Sequence, residues 1–229
     1  MQSIWEYRQL LFDGTVVTVQ LALGSLLLSV LFGLIGASAK LSKSKLSQGI
    51  AGAYTTLIRG VPDLVLMMLL FYGGQQLLND LGSWTGWWDY LEINQFTAGV
   101  FAIGFVFGAY MTETFRGAIL AIPRGQIEAG IACGMTSMKI FRRITWPQMV
   151  RFALPSFTNN WLVLVKATAL VSVIGLHDLV WNASTAGRSV REPFTFMFAV
   201  LIIYLIMTAI SDVGLRWVDR KYSVGVRKA

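Results

Sequence analysis

Five apolar stretches, each long enough to cross a bilayer, divide this chain and leave it few ways to fold. They run from about Gly14 to Ala39, Ile50 to Leu78, Phe96 to Ala121, Val150 to Leu176 and Pro193 to Trp217. A helix needs ~20 residues to span about 30 Å of hydrocarbon at 1.5 Å per residue, and every stretch exceeds that. Only 14% of the 229 residues are charged and the mean hydropathy is +0.60, whereas a soluble domain carries roughly a quarter charged residues. The expectation is an all-α polytopic membrane protein with five transmembrane helices. Residues 1–229 form a single transmembrane domain, because no polar linker is long enough to separate two parts.

The net charge of +7 does not point to nucleic acid, because the basic residues gather between the spans. Lys40, Lys43 and Lys45 follow span one; Arg124, Lys139, Arg142, Arg143 and Arg151 lie between spans three and four; Arg220, Lys221, Arg227 and Lys228 follow span five. The opposite side has Arg8 at the N-terminus, none after span two, and Arg188 and Arg191 in the last loop. This bias puts the N-terminus outside and the C-terminus in the cytoplasm. The loop after span two holds Asp80, Asp89 and Glu92 with Trp84, Trp87 and Trp88, which fits an outer interface belt and equally a folded lid. The N-terminus lacks a basic segment ahead of a short apolar run, so span one is expected to act as its own uncleaved insertion signal. A single cysteine, Cys133, rules out an internal disulfide and reads as a small packing residue. His177 is a lone imidazole, and no metal cluster is expected. Gly104 and Gly108 in span three are spaced to let another helix approach closely.

About 28 residues, Ile122 to Met149, link spans three and four, more than a connection requires. Ile127 to Cys133 reads as a short helix ended by Gly134. A second helix starts at Thr136 or Ser137 as its cap, and Pro147 ends or redirects it. Two short helices at an angle would make a rigid knob; the alternative is an amphipathic loop lying on the membrane. The residues Glu128-Ala129-Gly130, then Gly134, Ile144 and Pro147 follow the pattern E-A-A, three residues, G, nine residues, I-x-L-P, with Gly130 for the second alanine and Trp146 for the leucine.

In that pattern the chain resembles the permease subunits of ATP-driven bacterial importers. The likeness extends to Thr55 through Leu66, Glu113 through Ala118, Leu170 to Ser172 and the tail Arg220 to Val226. These segments are similar to the polar amino-acid ABC importer permeases, especially the branch that takes up histidine, lysine, arginine and ornithine, with opine permeases close by. The resemblance implies the type I importer permease (MetI-like) fold. It also implies a homologous M-type permease subunit as heterodimer partner, two copies of a cytosolic ATPase, a periplasmic substrate-binding protein and an inner-membrane location. It places the ATPase contact on Glu128, Ala129, Gly134, Ile144 and Pro147. The chain has no G-x-x-x-x-G-K-[ST] loop, so ATP and Mg belong to the ATPase, this chain holds no cofactor, and no enzyme activity is expected.

A charge inside the membrane is a functional suspect by default. Asp63 lies near the middle of span two, Lys166 near the middle of span four, and Glu113 roughly 7–8 Å to the cytoplasmic side of the middle of span three. Thr168 and Ser172 share a helical face close to Lys166, and Asn160 lies below it. One reading is a midplane pocket for a basic amino acid, with Lys166 and Arg59 meeting the carboxylate, Glu113 and Asp63 the ammonium groups, and Tyr110 beside them. The other is self-neutralisation, Arg59 with Asp63 and Glu113 with Arg116. Related permeases often carry an acid after the lysine where this chain has Ala167, which leaves open a pocket in the partner subunit. An ion-coupled secondary transporter would use the same charges, but five spans without an inverted repeat argue against it. A mere membrane anchor would have no reason to bear them.

Overall fold

The computed structural model describes residues 2–222; the tail segment from Ser223, with Arg227 and Lys228, lies outside the described residues. Those residues form an all-helical bundle. A short α1 (Gln2–Glu6) precedes α2 (Arg8–Lys40), α3 (Lys45–Gly60), α4 (Asp63–Met68), α5 (Gly74–Thr85) and α6 (Gln95–Leu120). Then come α7 (Arg124–Ala132), α8 (Ser137–Ile140), α9 (Trp146–Ala167), α10 (Leu179–Ser189) and α11 (Pro193–Tyr222). Helices long and apolar enough to cross a membrane are Arg8–Lys40, Gln95–Leu120, Ser137–Ile174 and Pro193–Tyr222.

The second predicted span is not one straight helix. Lys45–Gly60 and Asp63–Thr85 meet at 114°. Val61 is extended (φ −115°, ψ 142°) and Pro62 follows at φ −58°, ψ 134°. Proline lacks the N–H that would continue the ladder and pushes the residue before it out of the helical region, so the break falls here. Beyond it α4 runs through a π-helical turn, Leu69–Gly73, into α5.

The seam between α2 and α6 organises the bundle. Apolar surface alone gives helices no reason to associate in lipid; close packing does. A Cβ on Gly104 would stand 2.7 Å from the Leu28 Cβ, and one on Gly108 would stand 2.6 Å from the Phe32 Cβ. The two glycines singled out in the sequence therefore receive α2. On its other side α6 packs against α9, and it also meets α3 and α4. The core gathers there around Leu21, Ile103, Phe107, Leu164 and Val171. By contrast, only 11% of the apolar window of α11 is buried, so most of that helix faces outward.

Span four departs from expectation at both ends. Pro147 does not end a helix: the chain is helical from Ser137 to Ile174, with a π turn at Phe141–Thr145 leading into α9. Proline fits the first turn of α9 because its missing N–H falls next to that widened turn. At the far end the chain tightens to a 3-10 helix, Thr168–Ile174. A helix with three residues per turn rotates i and i+4 apart by about 120°, so Thr168 is buried while Ser172 is only half-buried. The shared face expected from α-helical spacing does not exist. The last loop hides α10, whose Leu179, Ala183 and Ala186 pack with Leu11 of α2 and Phe196 and Val200 of α11. Asn182 is buried there too, its amide donating to the Leu10 carbonyl at 2.9 Å.

Candidate functional site

Two regions hold the residues picked out in the sequence. The first is the break in span two. Arg59 is the next-to-last residue of α3 and Asp63 opens α4, so their side chains flank the bend, and they form no ion pair with each other among the described residues. The Arg59 guanidinium instead stands over the Tyr110 ring of α6, 5.6 Å from its centre. Both Arg59 and Asp63 lie close enough to act electrostatically on the Tyr110 phenol. Helix α4 also touches the 3-10 stretch that follows Lys166. The bend thus gathers Arg59, Asp63 and Tyr110.

Glu113 lies elsewhere. Lys40, at the end of α2, ion-pairs one carboxylate oxygen, and Arg116 donates to the other at 2.8 Å and 3.0 Å. Its charge is matched within the chain, and Lys40 is a partner that sequence reasoning missed. Asn160 is also engaged, donating to Thr114 Oγ1 at 3.0 Å. Thr168 donates to the Val165 carbonyl at 2.6 Å and shares a hydrogen bond with the Tyr204 hydroxyl at 3.2 Å. Ser172 bonds the Ala169 carbonyl at 2.8 Å. Lys166 is exposed near the end of α9, while Leu164 and Val165 beside it are buried.

The second region is the knob between α6 and α9. Helix α7 ends in a two-bond cap: the Met135 N–H reaches the Gly130 carbonyl at 3.0 Å and the Gly134 N–H reaches that of Ile131 at 2.9 Å. This closure needs a left-handed residue, and Gly134 supplies it at φ 71°. The Thr136 side chain then accepts the Lys139 N–H at 3.4 Å and starts α8. Glu128, Ala129, Gly134 and Pro147 are exposed, while Ile144 tucks under Gly130. Ile131, Met138, Phe141 and Trp146 add exposed apolar surface that the motif does not mention. Cys133 is exposed at the end of α7 rather than packed, because the cap turns it outward.

At the opposite end of the bundle, the loop after α5 folds back. Trp88 Nε1 donates to the Leu78 carbonyl at 3.2 Å, and Gln75 and Asn79 accept the Ile93 and Leu91 N–H groups at 2.7 Å and 2.8 Å. Trp84 and Trp87 remain exposed.

Comparison with known proteins fits this architecture. The sequence profile described as binding-protein-dependent transport system inner membrane component matches residues 29–224. The chain belongs to this family. Members with which it aligns end to end include the histidine/lysine/arginine/ornithine transport system permease protein HisQ of Salmonella typhimurium, 49% identical over 99% of both chains. The octopine transport system permease protein OccQ of Rhizobium radiobacter is 38% identical over 98% of this chain and 94% of its own. Among solved structures, an amino acid ABC transporter crystallised with histidines superimposes with a TM-score of 0.82 at 31% identity, covering 96% of this chain and 97% of that one. The inward-facing MetNI methionine ABC transporter shares the fold, with a TM-score of 0.75 at 19% identity over 95% of this chain and 98% of that one. This family member is therefore a multi-pass inner-membrane protein with the ABC importer permease fold.

Proposed function

We propose that this chain is one permease subunit of an ATP-driven importer of polar amino acids, with the basic ones, histidine, lysine, arginine and ornithine, as its cargo. The observation that carries this is the end-to-end likeness to HisQ, at 49% identity. In this reading a second, M-type permease subunit completes the pore, two copies of an ATPase supply ATP hydrolysis, and a binding protein delivers the amino acid. The knob built by α7 and α8 takes the ATPase, with Glu128, Ala129, Gly134, Ile144 and Pro147 beside its exposed apolar rim. The basic loops, this knob included, face the cytoplasm and the N-terminus faces outward, as the positive-inside bias requires. Arg59, Asp63 and Tyr110 at the break of span two, with Lys166, line the substrate path. Glu113 sits at its cytoplasmic end as part of an ionic clasp.

Proteoliposomes containing this chain, its partner permease and the ATPase test the reading. Uptake of radiolabelled arginine and histidine is expected to need ATP and the binding protein and to survive a protonophore. Uptake that persists without the ATPase and collapses with the protonophore would mark an ion-coupled transporter instead. The likeness to OccQ supports an opine as the second candidate cargo, and competition by octopine against arginine uptake discriminates the two.

A further inference from the structure

Asp178 stands where the chain leaves the 3-10 stretch and enters α10, and it is fully buried. Its Oδ1 accepts the Trp181 N–H at 2.8 Å and caps α10. Its Oδ2 has no hydrogen-bond partner. The junction is tight: a Cβ on Gly14 of α2 would stand 2.8 Å from the Leu179 Cα and 2.9 Å from the Asp178 carbonyl oxygen. Thr18 of α2 accepts the Leu179 N–H at 3.2 Å. Tyr204 of α11 comes within electrostatic reach of the carboxyl and is tied to Thr168.

No cation faces this carboxyl from the described elements around it. From α2 come Gly14 and Thr18, with Asp13 exposed. From α11 comes the Tyr204 phenol, and the 3-10 stretch, Thr168–Ile174, carries no charged residue. Arg188, on α10, turns onto Ser184, and His177 is exposed and stacks on Trp181 at 5.5 Å. An ionised carboxylate buried without a countercharge is costly. A neutral carboxyl costs less to bury, and its remaining oxygen caps a helix as the side chain of Asn does.

We propose that Asp178 is a proton-responsive positioning residue: its protonated form seats α10 and the 3-10 stretch against α2 and α11, and ionisation at Oδ2 unseats them. Burial pushes this carboxyl up to about 6, so the proton exchanges in the mildly acidic range. On the proposed function, the seat bears on transport because the 3-10 stretch directly follows Lys166 and Ala167. The folded state keeps its proton over a window in which the unfolded chain has lost it, so stability falls as pH rises from about 4 to about 6 and then levels.

The test is the apparent unfolding temperature of the assembled transporter in lipid nanodiscs from about pH 4 to about pH 7. Wild type is expected to lose several degrees relative to Asp178→Asn, which keeps the cap and cannot ionise. Parallel curves for the two proteins overturn the proposal. A second measurement needs no variant at this position. With ¹³C-labelled aspartate in an Asp63→Asn background, the infrared spectrum is expected to keep a label-shifted protonated-acid carbonyl band at about pH 5.5, where exposed aspartates are ionised, and to lose it at higher pH. The absence of that band at about pH 5.5 overturns the proposal as well.

Discussion

Lys40, the last residue of α2, is ion-paired to Glu113 of α6 across 73 positions of sequence, and both side chains are about four-fifths buried. Arg116 holds the other carboxylate oxygen, so the clasp fastens the end of α2 to α6 seven residues before α6 ends at Leu120. Removing the acid strands two cations in a half-dry place. Glu113→Gln is expected to cost about 1.5–3 kcal/mol, the range for hydrogen bonds to charged groups. Combining it with Lys40→Met should cost less than the sum of the two by roughly 1 kcal/mol. Thermal unfolding of the four proteins in one detergent gives the cycle; strict additivity would mean the pair contributes nothing.

The knob separates two glycines that look alike in the sequence. Gly134 has open space around its missing Cβ but a backbone at φ 71°, so Gly134→Ala is expected to cost about 1–2 kcal/mol from backbone strain alone. Gly130 has an ordinary helical backbone, and a Cβ there would meet the flexible end of Ile144 at 2.9 Å and Cγ1 of Ile140 at 3.3 Å, both side chains that can give way. Gly130→Ala should therefore be nearly neutral, and Gly134→Ala should lower ATPase co-purification and ATP-driven uptake. Equal losses for both variants would contradict this division.

Along α6 the same contrast appears in the membrane. A methyl group added at Gly104 would stand 2.7 Å from Leu28 Cβ and 3.3 Å from the Ser25 carbonyl oxygen, whereas one added at Gly117 would meet nothing within 4 Å. Gly104→Ala should force α2 and α6 apart and cost about 1–3 kcal/mol. Gly117→Ala should stabilise by up to about 1 kcal/mol through helix propensity. Melting temperatures of the two variants, measured side by side, should move in opposite directions.

Local chemistry explains which of these features are legible in the sequence. Hydropathy alone locates the bundle because span length is set by the bilayer. Gly134 and Thr136 are legible because a left-handed cap and an N-cap depend on their own neighbourhood in the chain. Pro62 signals a break, but how far the halves bend depends on what α4 packs against. Pro147 misleads because a π turn can absorb a proline, and nothing in the pattern distinguishes that from a helix end. The Lys40 to Glu113 pair, the burial of Asp178 and the existence of α10 all arise from contacts between distant segments, which periodicity does not record.

Arg59 is held by the Tyr110 ring rather than by Asp63, which leaves the Asp63 carboxylate without an ion-pair partner among the described residues. An acid left that way beside a bend is suited to meet the cationic end of a basic amino acid. Asp63→Asn should raise the KM for arginine and lysine uptake tenfold or more, about 1.4 kcal/mol or above in binding. Tyr110→Leu, which removes the surface that holds Arg59, should also impair uptake, while ATPase activity stimulated by the binding protein continues. A KM for arginine unchanged in Asp63→Asn, with ATP-driven uptake intact, would move recognition of the cation to the partner permease and leave this chain the wall of the path.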